Sequence, residues 1–427
     1  MSDVSRTILV VTFGSYGDLH PFLAVALALK ARGQTVVFAT LADYKAKVEA
    51  LGLTFVAAGP TFADLEASTG LPVAEILHRM GRSHAYMMRE LVAPHVEAAF
   101  ETLLPHVRAA DAVFGSAFVF GAHLAARVSG TPFLAGVLQP SALLSAWDPP
   151  VSPGAPFWQQ PHGPLARQWN RLMFACGEAV LAPALRTITR LYRQQGLKDK
   201  LGIGFAGSDR LHLGLWSPVL CDSPPDAPPG TEVVGYTFFD SDDGHPAPPD
   251  PDLEAWLEAG PPPILFTLGS VVVHAGTEFY RSALRLSERL NTRALLLVGR
   301  DSPLLKEPPR DAVRIRAYAP HSQVFPKARL IVHHGGIGTT GQALRAGKPQ
   351  MIVPALGDQY DNAARLERLG IARSLHLRRW TDGRALPHLK ALLNDPAIAP
   401  RAEALAAQVR AETGAETAAE RIISALR

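Results

Sequence analysis

The sequence predicts an α/β protein made of two doubly wound parallel-sheet domains. Three observations carry this. The N-terminal part alternates strand, helix, strand, helix, strand, the order that builds a parallel sheet with helices on both faces. A second series of the same kind begins near residue 264. The chain has 427 residues, 47% of them hydrophobic, enough for two or three packed domains.

Thr7–Phe13 is a continuous apolar run, as expected for a strand buried on both faces. Gly14 to His20 make the turn after it. Pro21 suits the first position of the next helix, expected to reach about Arg32 and stop at Gly33. A strand at Thr35–Thr40, a helix at Asp43–Leu51 and a strand at Thr54–Ala57 follow. Residues 73–108 read as helices, with Met80, Met87 and Met88 among their apolar positions. Then come strand Asp111–Ser116, helix Phe118–Val128 and strand Pro132–Leu138. The loop Gln139–Pro164 is rich in proline and holds Trp147, Phe157 and Trp158. A helical stretch from Leu165 to Gln195 and strands at Leu211–Trp216 and Glu232–Val234 close a first domain of residues 1–238. Residues 239–263 are rich in Asp, Pro and Gly and read as a linker.

The second domain, 264–405, is expected to hold strands Ile264–Leu268, Ala294–Val298, Val313–Arg316, Leu330–His333 and Gln350–Val353. Helices fall near 277–290, 321–326, 339–345, 359–368, 384–394 and 402–426. The C-terminal segment after that domain, residues 406–427, is expected to be helical and to pack back on the first domain.

In doubly wound sheets ligands bind outside the carboxyl ends of the strands. The most informative such end follows Leu330-Ile331-Val332, where the chain breaks into Gly335-Gly336-Ile337-Gly338 and continues as a helix. Strand, glycine turn and helix N-terminus together make a phosphate site, because the first helical amides point outward with partial positive charge. Thr339 and Thr340 add hydroxyl donors, and His334 adds a ring nitrogen. The spacing Gly336-x-Gly338-x-x-Gly341 also matches the dinucleotide fingerprint, with Asp358 about 20 residues on. An NAD(P)-dependent oxidoreductase is therefore an alternative. Against it, that fingerprint belongs after the first strand of its domain, and here several strands precede it.

Composition removes other classes. Net charge is +3 with no run of Lys or Arg, so nucleic acid is not an expected partner. The two cysteines, Cys176 and Cys221, form neither a disulfide framework nor a zinc spacing. The N-terminal apolar run is too short for a signal peptide, and no run reaches membrane-span length. A cytoplasmic protein is expected, with membrane contact at most peripheral. No metal site is expected. His333 and His334 are adjacent on a strand end and point to opposite faces. Asp240-Ser241-Asp242-Asp243 spells Asp-x-Asp but lies in the linker, where it reads as solvated charge.

Tyr318-Ala319-Pro320-His321, His334 to Thr340, and Gly357-Asp358-Gln359-Tyr360-Asp361-Asn362 together resemble the C-terminal signature of family 1 nucleotide-sugar glycosyltransferases, of the two-Rossmann-domain (GT-B) type. Phe13 to Pro21 resembles the N-terminal glycine loop of their bacterial, fungal and sterol-acting members. Gln139 to Ala146, followed by Pro149-Pro150, extends the likeness to the bacterial rhamnosyltransferases of rhamnolipid synthesis. The resemblance implies two domains facing across a cleft, the first for the acceptor and the second for the donor. It implies that His334, Gly336, Gly338, Thr339 and Thr340 hold the donor diphosphate, with Ser270 as a second phosphate contact. Tyr318 falls where members stack an aromatic on the base, and His321 lies beside it. Gln342 falls where plant members carry a Glu for the ribose. Asp358 and Gln359 match the pair that bonds sugar hydroxyls. Asp18 matches the catalytic base, and His20 is the second candidate.

The expected reaction is an inverting, metal-independent transfer of a hexose from a UDP- or dTDP-sugar to a hydroxyl of a lipophilic acceptor. No cofactor is expected, since the nucleotide sugar is a co-substrate. Met87, Met88 and Trp147 are candidate acceptor contacts, because Met fills irregular apolar pockets; ordinary core is their other reading. Asp18 has a second reading as a helix cap. A non-catalytic nucleotide-sugar-binding protein is the remaining alternative.

Overall fold

The computed structural model describes residues 5–152, 165–198, 201–202, 207–208, 210–241, 245, 250–269, 276–308 and 310–427. The chain forms two compact units. The first holds the residues up to Phe239 together with Thr413–Arg427; the second runs to Glu412 and includes Asp240.

The first unit carries a seven-stranded sheet. Its strands are β1 (Thr7–Val11), β2 (Thr35–Thr40), β3 (Thr54–Ala57), β4 (Ala112–Gly115), β5 (Phe133–Val137), β6 (His212–Gly214) and β7 (Thr231–Val233). They lie in the order β3-β2-β1-β4-β5-β6-β7, every pair parallel. The central strand β1 shows why its sequence is uniformly apolar. Ile8 and Val10 enter the core on one face, Leu9 and Val11 the core on the other. All four are fully buried.

The helix after β1 spans Tyr16–Ala31, so it begins before the predicted start at Pro21. Ser15 is its N-cap and Asp18 completes a capping box, which leaves Pro21 inside the helix. The capping pair outweighs the preference of proline for the first helical position. The helix Gly414–Ser424 lies against this one, with Ala418, Ala419, Ile422 and Ile423 in the same core as Ile8 and Val10. It is separate from the preceding Ile398–Ala411, so the single helix expected over 402–426 is broken at Glu412 and Thr413.

The second unit carries a six-stranded sheet of β8 (Ile264–Thr267), β9 (Ala294–Leu297), β10 (Val313–Arg316), β11 (Leu330–His333), β12 (Gln350–Ile352) and β13 (Ala372–Ser374). The order is β10-β9-β8-β11-β12-β13, again all parallel. β13 is absent from the sequence expectation: an edge strand of three residues, Ala-Arg-Ser, has no apolar run to reveal it. The predicted linker also needs correction. Pro251–Glu258 is a helix capped by Asp250, and its Leu253, Trp256 and Leu257 are buried in the core of the second unit.

Candidate active site

In the first unit the carboxyl end of β1 leads through the bend Gly14–Ser15 into the first turns of the helix Tyr16–Ala31, which carry Asp18 and His20. Asp18 is half-buried, and its Oδ2 accepts from the Ser15 amide at 2.8 Å and the Ser15 hydroxyl at 3.1 Å. Burial opposes ionisation more than these bonds favour it, so the carboxyl is pushed up to about 6. Gly14 makes this seating possible. Its φ is +132°, and a Cβ there would lie 2.3 Å from Asp18 Oδ2, so no other residue fits. Asp18 is thus not the N-cap of a helix starting near Pro21 but the third helical residue, whose side chain closes a capping box with the N-cap Ser15, and this bonding aims the carboxylate.

His20 stacks on Tyr16 with ring centroids 5.1 Å apart and meets the edge of Phe239 at 5.1 Å. Its Nε2 lies 2.6 Å from Nζ of Lys47, which is 5% exposed and sits 4.3 Å above the Tyr16 ring. Sequence reading missed Lys47. It sits on the helix Lys45–Ala50, which exposes Lys45 and Glu49, and only the fold turns it inward.

In the second unit β11 ends on His333 and His334, and the two separate as their alternation requires. His333 is fully buried, with Nε2 against Gln350 Oε1 at 3.0 Å and Nδ1 accepting from the Gly335 amide at 3.2 Å. His334 has no such partner at Nδ1, although the atom is buried. Its ring lies in a slot between two glycines: a Cβ on Gly269 would come 2.3 Å from Cε1, and one on Gly336 2.4 Å from Nε2. Burial, with His333 and His321 nearby, pushes His334 down to about 3, so the ring is neutral at pH 7.

Gly336 is the N-cap of the helix Ile337–Ala346 and supplies no side-chain cap. The first amides of that helix, at Gly338 and Thr339, therefore face outward. Gly338 is exposed, and the buried Thr340 hydroxyl has no partner. An uncapped N-terminus beside two buried polar atoms without partners fits an anionic ligand.

The remaining predicted residues are placed as follows. Tyr318 follows β10 and is 37% exposed, with its hydroxyl 3.4 Å from Asp240 Oδ1. Asp240 Oδ2 accepts from the Ser322 amide at 2.7 Å, at the start of the helix His321–Val324. Asp240 is thus a cap rather than solvated linker charge. His321 stacks on Phe325 at 4.3 Å, and burial pushes it down to about 4. Asp358 accepts from Asn362 Nδ2 at 2.8 Å, and the same amide group donates to Gly335 O at 2.9 Å. The Gln359 Oε1 accepts from the Ala355 and Leu356 amides at 2.9 and 3.0 Å, which closes the loop after β12. The Gln342 Oε1 accepts from Arg345 Nη2 at 2.8 Å. Ser270 lies outside the described residues, as do Phe157 and Trp158.

Met88 is 2% exposed and packs with Phe120 and Tyr192, with Met87 beside it, so the core reading describes Met88. Trp147 is 46% exposed, with the Arg167 guanidinium 3.9 Å over its ring. Among the described residues no group of three or more His, Cys, Asp or Glu side chains is arranged to hold a metal ion.

Comparison with known proteins bears on both units. Residues 8–136 match the glycosyltransferase family 28 N-terminal domain, and residues 295–426 match the erythromycin biosynthesis protein CIII-like C-terminal domain. The chain is 34% identical to the O-mycaminosyltylonolide 6-deoxyallosyltransferase of Streptomyces fradiae, over 96% of this chain and 95% of that one. It is 29% identical to a sterol 3-beta-glucosyltransferase of Arabidopsis thaliana, over 86% of this chain and 57% of the relative. Its fold is shared with the glycotransferase of kitacinnamycin (TM-score 0.73, 22% identity, 99% and 100% of the two chains). The glycosyltransferase VinC, solved with dTDP, shares it too (TM-score 0.69, 19% identity, 98% and 99%). With the fold, the glycine turns and the full-length relative in agreement, the chain belongs to the nucleotide-sugar glycosyltransferases of the GT-B type.

Proposed function

We propose that the chain moves a hexose from a UDP- or dTDP-sugar to a hydroxyl of a lipophilic acceptor, with inversion at the anomeric carbon and no metal ion. The observation that carries this is Asp18, a carboxyl at the end of β1 whose proton affinity is pushed up to about 6. Such a group is ionised at neutral pH and still a useful proton acceptor. The acceptor oxygen forms its bond to the anomeric carbon while its proton passes to the Asp18 carboxylate. The bond from that carbon to the diphosphate oxygen breaks, and the diphosphate leaves with the electron pair. One displacement with one base gives inversion.

The growing charge on the diphosphate is met by the amides at the start of Ile337–Ala346, the neutral His334 ring and the Thr340 hydroxyl. These groups take the part a metal ion plays elsewhere. Tyr318 offers an exposed ring for the base. Asp358 serves the sugar hydroxyls, and Gln359 supports the loop that carries Asp358. The relatives' names, one for a mycaminosyltylonolide and one for a sterol substrate, support a lipophilic acceptor. The VinC complex supports dTDP among the donors.

The test is a panel of UDP- and dTDP-hexoses offered with a macrolide aglycone, a sterol and a hydroxyacyl lipid, with products read by mass spectrometry and anomeric configuration by NMR. Thermal shifts with UDP, dTDP, NAD and NADP accompany it. Stabilisation by UDP or dTDP and an inverted glycoside are expected. A retained anomer, or loss of activity on removal of divalent metal, would overturn the corresponding part.

A further inference from the structure

Among the described residues, most of the large exposed apolar side chains lie between Trp147 and Val180 in the sequence. The helix Ala166–Leu181 is the centre of the patch. With the residue that precedes it, Leu165, it presents Trp169, Leu172, Cys176 and Val180 at spacings of four, three, four and four, one stripe along a helix. Leu165 is 74% exposed, Leu172 52% and Val180 76%. The adjacent face, through Ala166 and Asn170, is buried. The helix thus carries an exposed apolar stripe flanked by the exposed Arg167, Gln168 and Arg171, while Ala166 and Asn170 face the protein.

The next helix, Arg186–Gln194, adds charge. Ile188 and Tyr192 fix it to the core, with the Tyr192 hydroxyl donating to Phe120 O at 3.2 Å. On the opposite side Arg186, Arg190 and Arg193 form an exposed stripe at the same helical spacing. From 165 to 198 there are six basic residues and one acid, a local charge of +5 in a chain whose total is +3.

We infer that this helix pair is a docking surface for an anionic lipid bilayer, on which it lies without crossing. Exposed Leu and Val with Trp beside arginines are what an interfacial element uses, the apolar side chains entering the acyl boundary and the cations meeting lipid phosphate. A second copy of the chain would bring the same +5 against it, and like charges oppose that pairing. A small acceptor needs a concavity, and a solvent-facing helix stripe offers none. Length and composition alone would let the two helices together form a broken span, and their bend and charge argue against it. Among the described residues no single helix is long and apolar enough to span, and the two helices are bent by 79°. The first of them, of 16 residues, reaches roughly 24 Å against a hydrocarbon core of about 30 Å, and the second would bury three arginines.

The test is co-sedimentation of the full chain with vesicles of equal phosphatidylglycerol and phosphatidylcholine, and with pure phosphatidylcholine, at low and high salt. Sedimentation with the anionic vesicles at low salt only is expected. Arg186→Gln/Arg190→Gln/Arg193→Gln should weaken it on the order of 100-fold, and Leu172→Glu/Val180→Glu should abolish it. Nucleotide binding and the thermal melt should be unchanged. A polarity-sensitive dye on Cys176, in a Cys221→Ala background, should shift to the blue on the same vesicles and reports from within the stripe with Leu172 and Val180 in place. Failure of the wild type to sediment, variants that bind like wild type, or a wild-type dimer dispersed by Leu172→Glu/Val180→Glu without vesicle binding would each overturn the inference. None of these outcomes touches the assignment of Asp18.

Discussion

The carboxylate of Asp18 accepts two hydrogen bonds from Ser15, one from its amide at 2.8 Å and one from its hydroxyl at 3.1 Å. Both lower the proton affinity of a group that burial raises to about 6. As a base, Asp18 must be ionised, so kcat/KM should fall as pH drops through about 6. Ser15→Ala removes the hydroxyl bond and should move this acid limb to higher pH. A pH–rate profile of both proteins checks the direction.

The same shift has a consequence for stability. Because the folded protein holds this proton more tightly than the unfolded chain, Asp18 contributes stability below its ordinary value near 3.8. That contribution is lost as pH rises through about 6. Asp18→Asn keeps an acceptor for Ser15 and never ionises. It should therefore be more stable than wild type at pH 8, on the order of 1–3 kcal/mol, with little difference at pH 4. Urea unfolding at the two pH values measures this.

His334 owes its position to the slot between Gly269 and Gly336. Gly269→Ala adds a Cβ into the ring and strains a φ of +66°. His334→Ala should weaken UDP or dTDP binding roughly 10- to 100-fold, the range of one hydrogen bond to a charged group. Gly269→Ala should weaken it in the same sense by displacing the ring. Isothermal titration with the nucleotide diphosphates reads both.

For Tyr318 the ring and the hydroxyl separate cleanly. The hydroxyl contact with Asp240 is long, at 3.4 Å. Tyr318→Phe should leave nucleotide affinity within about twofold, whereas Tyr318→Ala should lose about tenfold or more through the stacking face. Asp240→Ala, which removes the bond to the Ser322 amide, should cost ~1 kcal/mol of stability.

Lys47 and His20 meet in a part-buried hydrogen bond. His20→Leu takes away the nitrogen that lies 2.6 Å from Lys47 Nζ, while the contacts of Lys47 with the Tyr16 and Phe239 rings remain, and should destabilise the protein by about 1 kcal/mol. Lys47→Met should also destabilise, and the two losses together should be less than their sum, because both remove the same hydrogen bond. A double-mutant cycle in urea checks the coupling.

Much of this was legible in the sequence for a definite reason. Strands such as Ile8–Val11 and Leu330–Val332 are buried on both faces, and so announce themselves as unbroken apolar runs. Glycine turns announce the strand ends that carry Asp18 and His334. What stayed hidden depends on partners distant in sequence. β13 is short and polar and is held by pairing to β12. Asp240 becomes a cap only where the fold brings it to Ser322. Lys47 reads as a surface cation until the packing of Tyr16 and Phe239 encloses it. The early start of the helix Tyr16–Ala31 was written in Ser15 and Asp18, and proline drew the boundary elsewhere.

The measurement closest to the central claim is the turnover of Asp18→Asn set beside its nucleotide affinity. With a donor and acceptor that the wild type joins, product formation should fall roughly 100- to 10,000-fold, the usual worth of a general base. Binding of UDP or dTDP, which the proposal assigns to the second unit, should not change. An Asp18→Asn protein that transfers sugar at more than about a tenth of the wild-type rate would contradict the account.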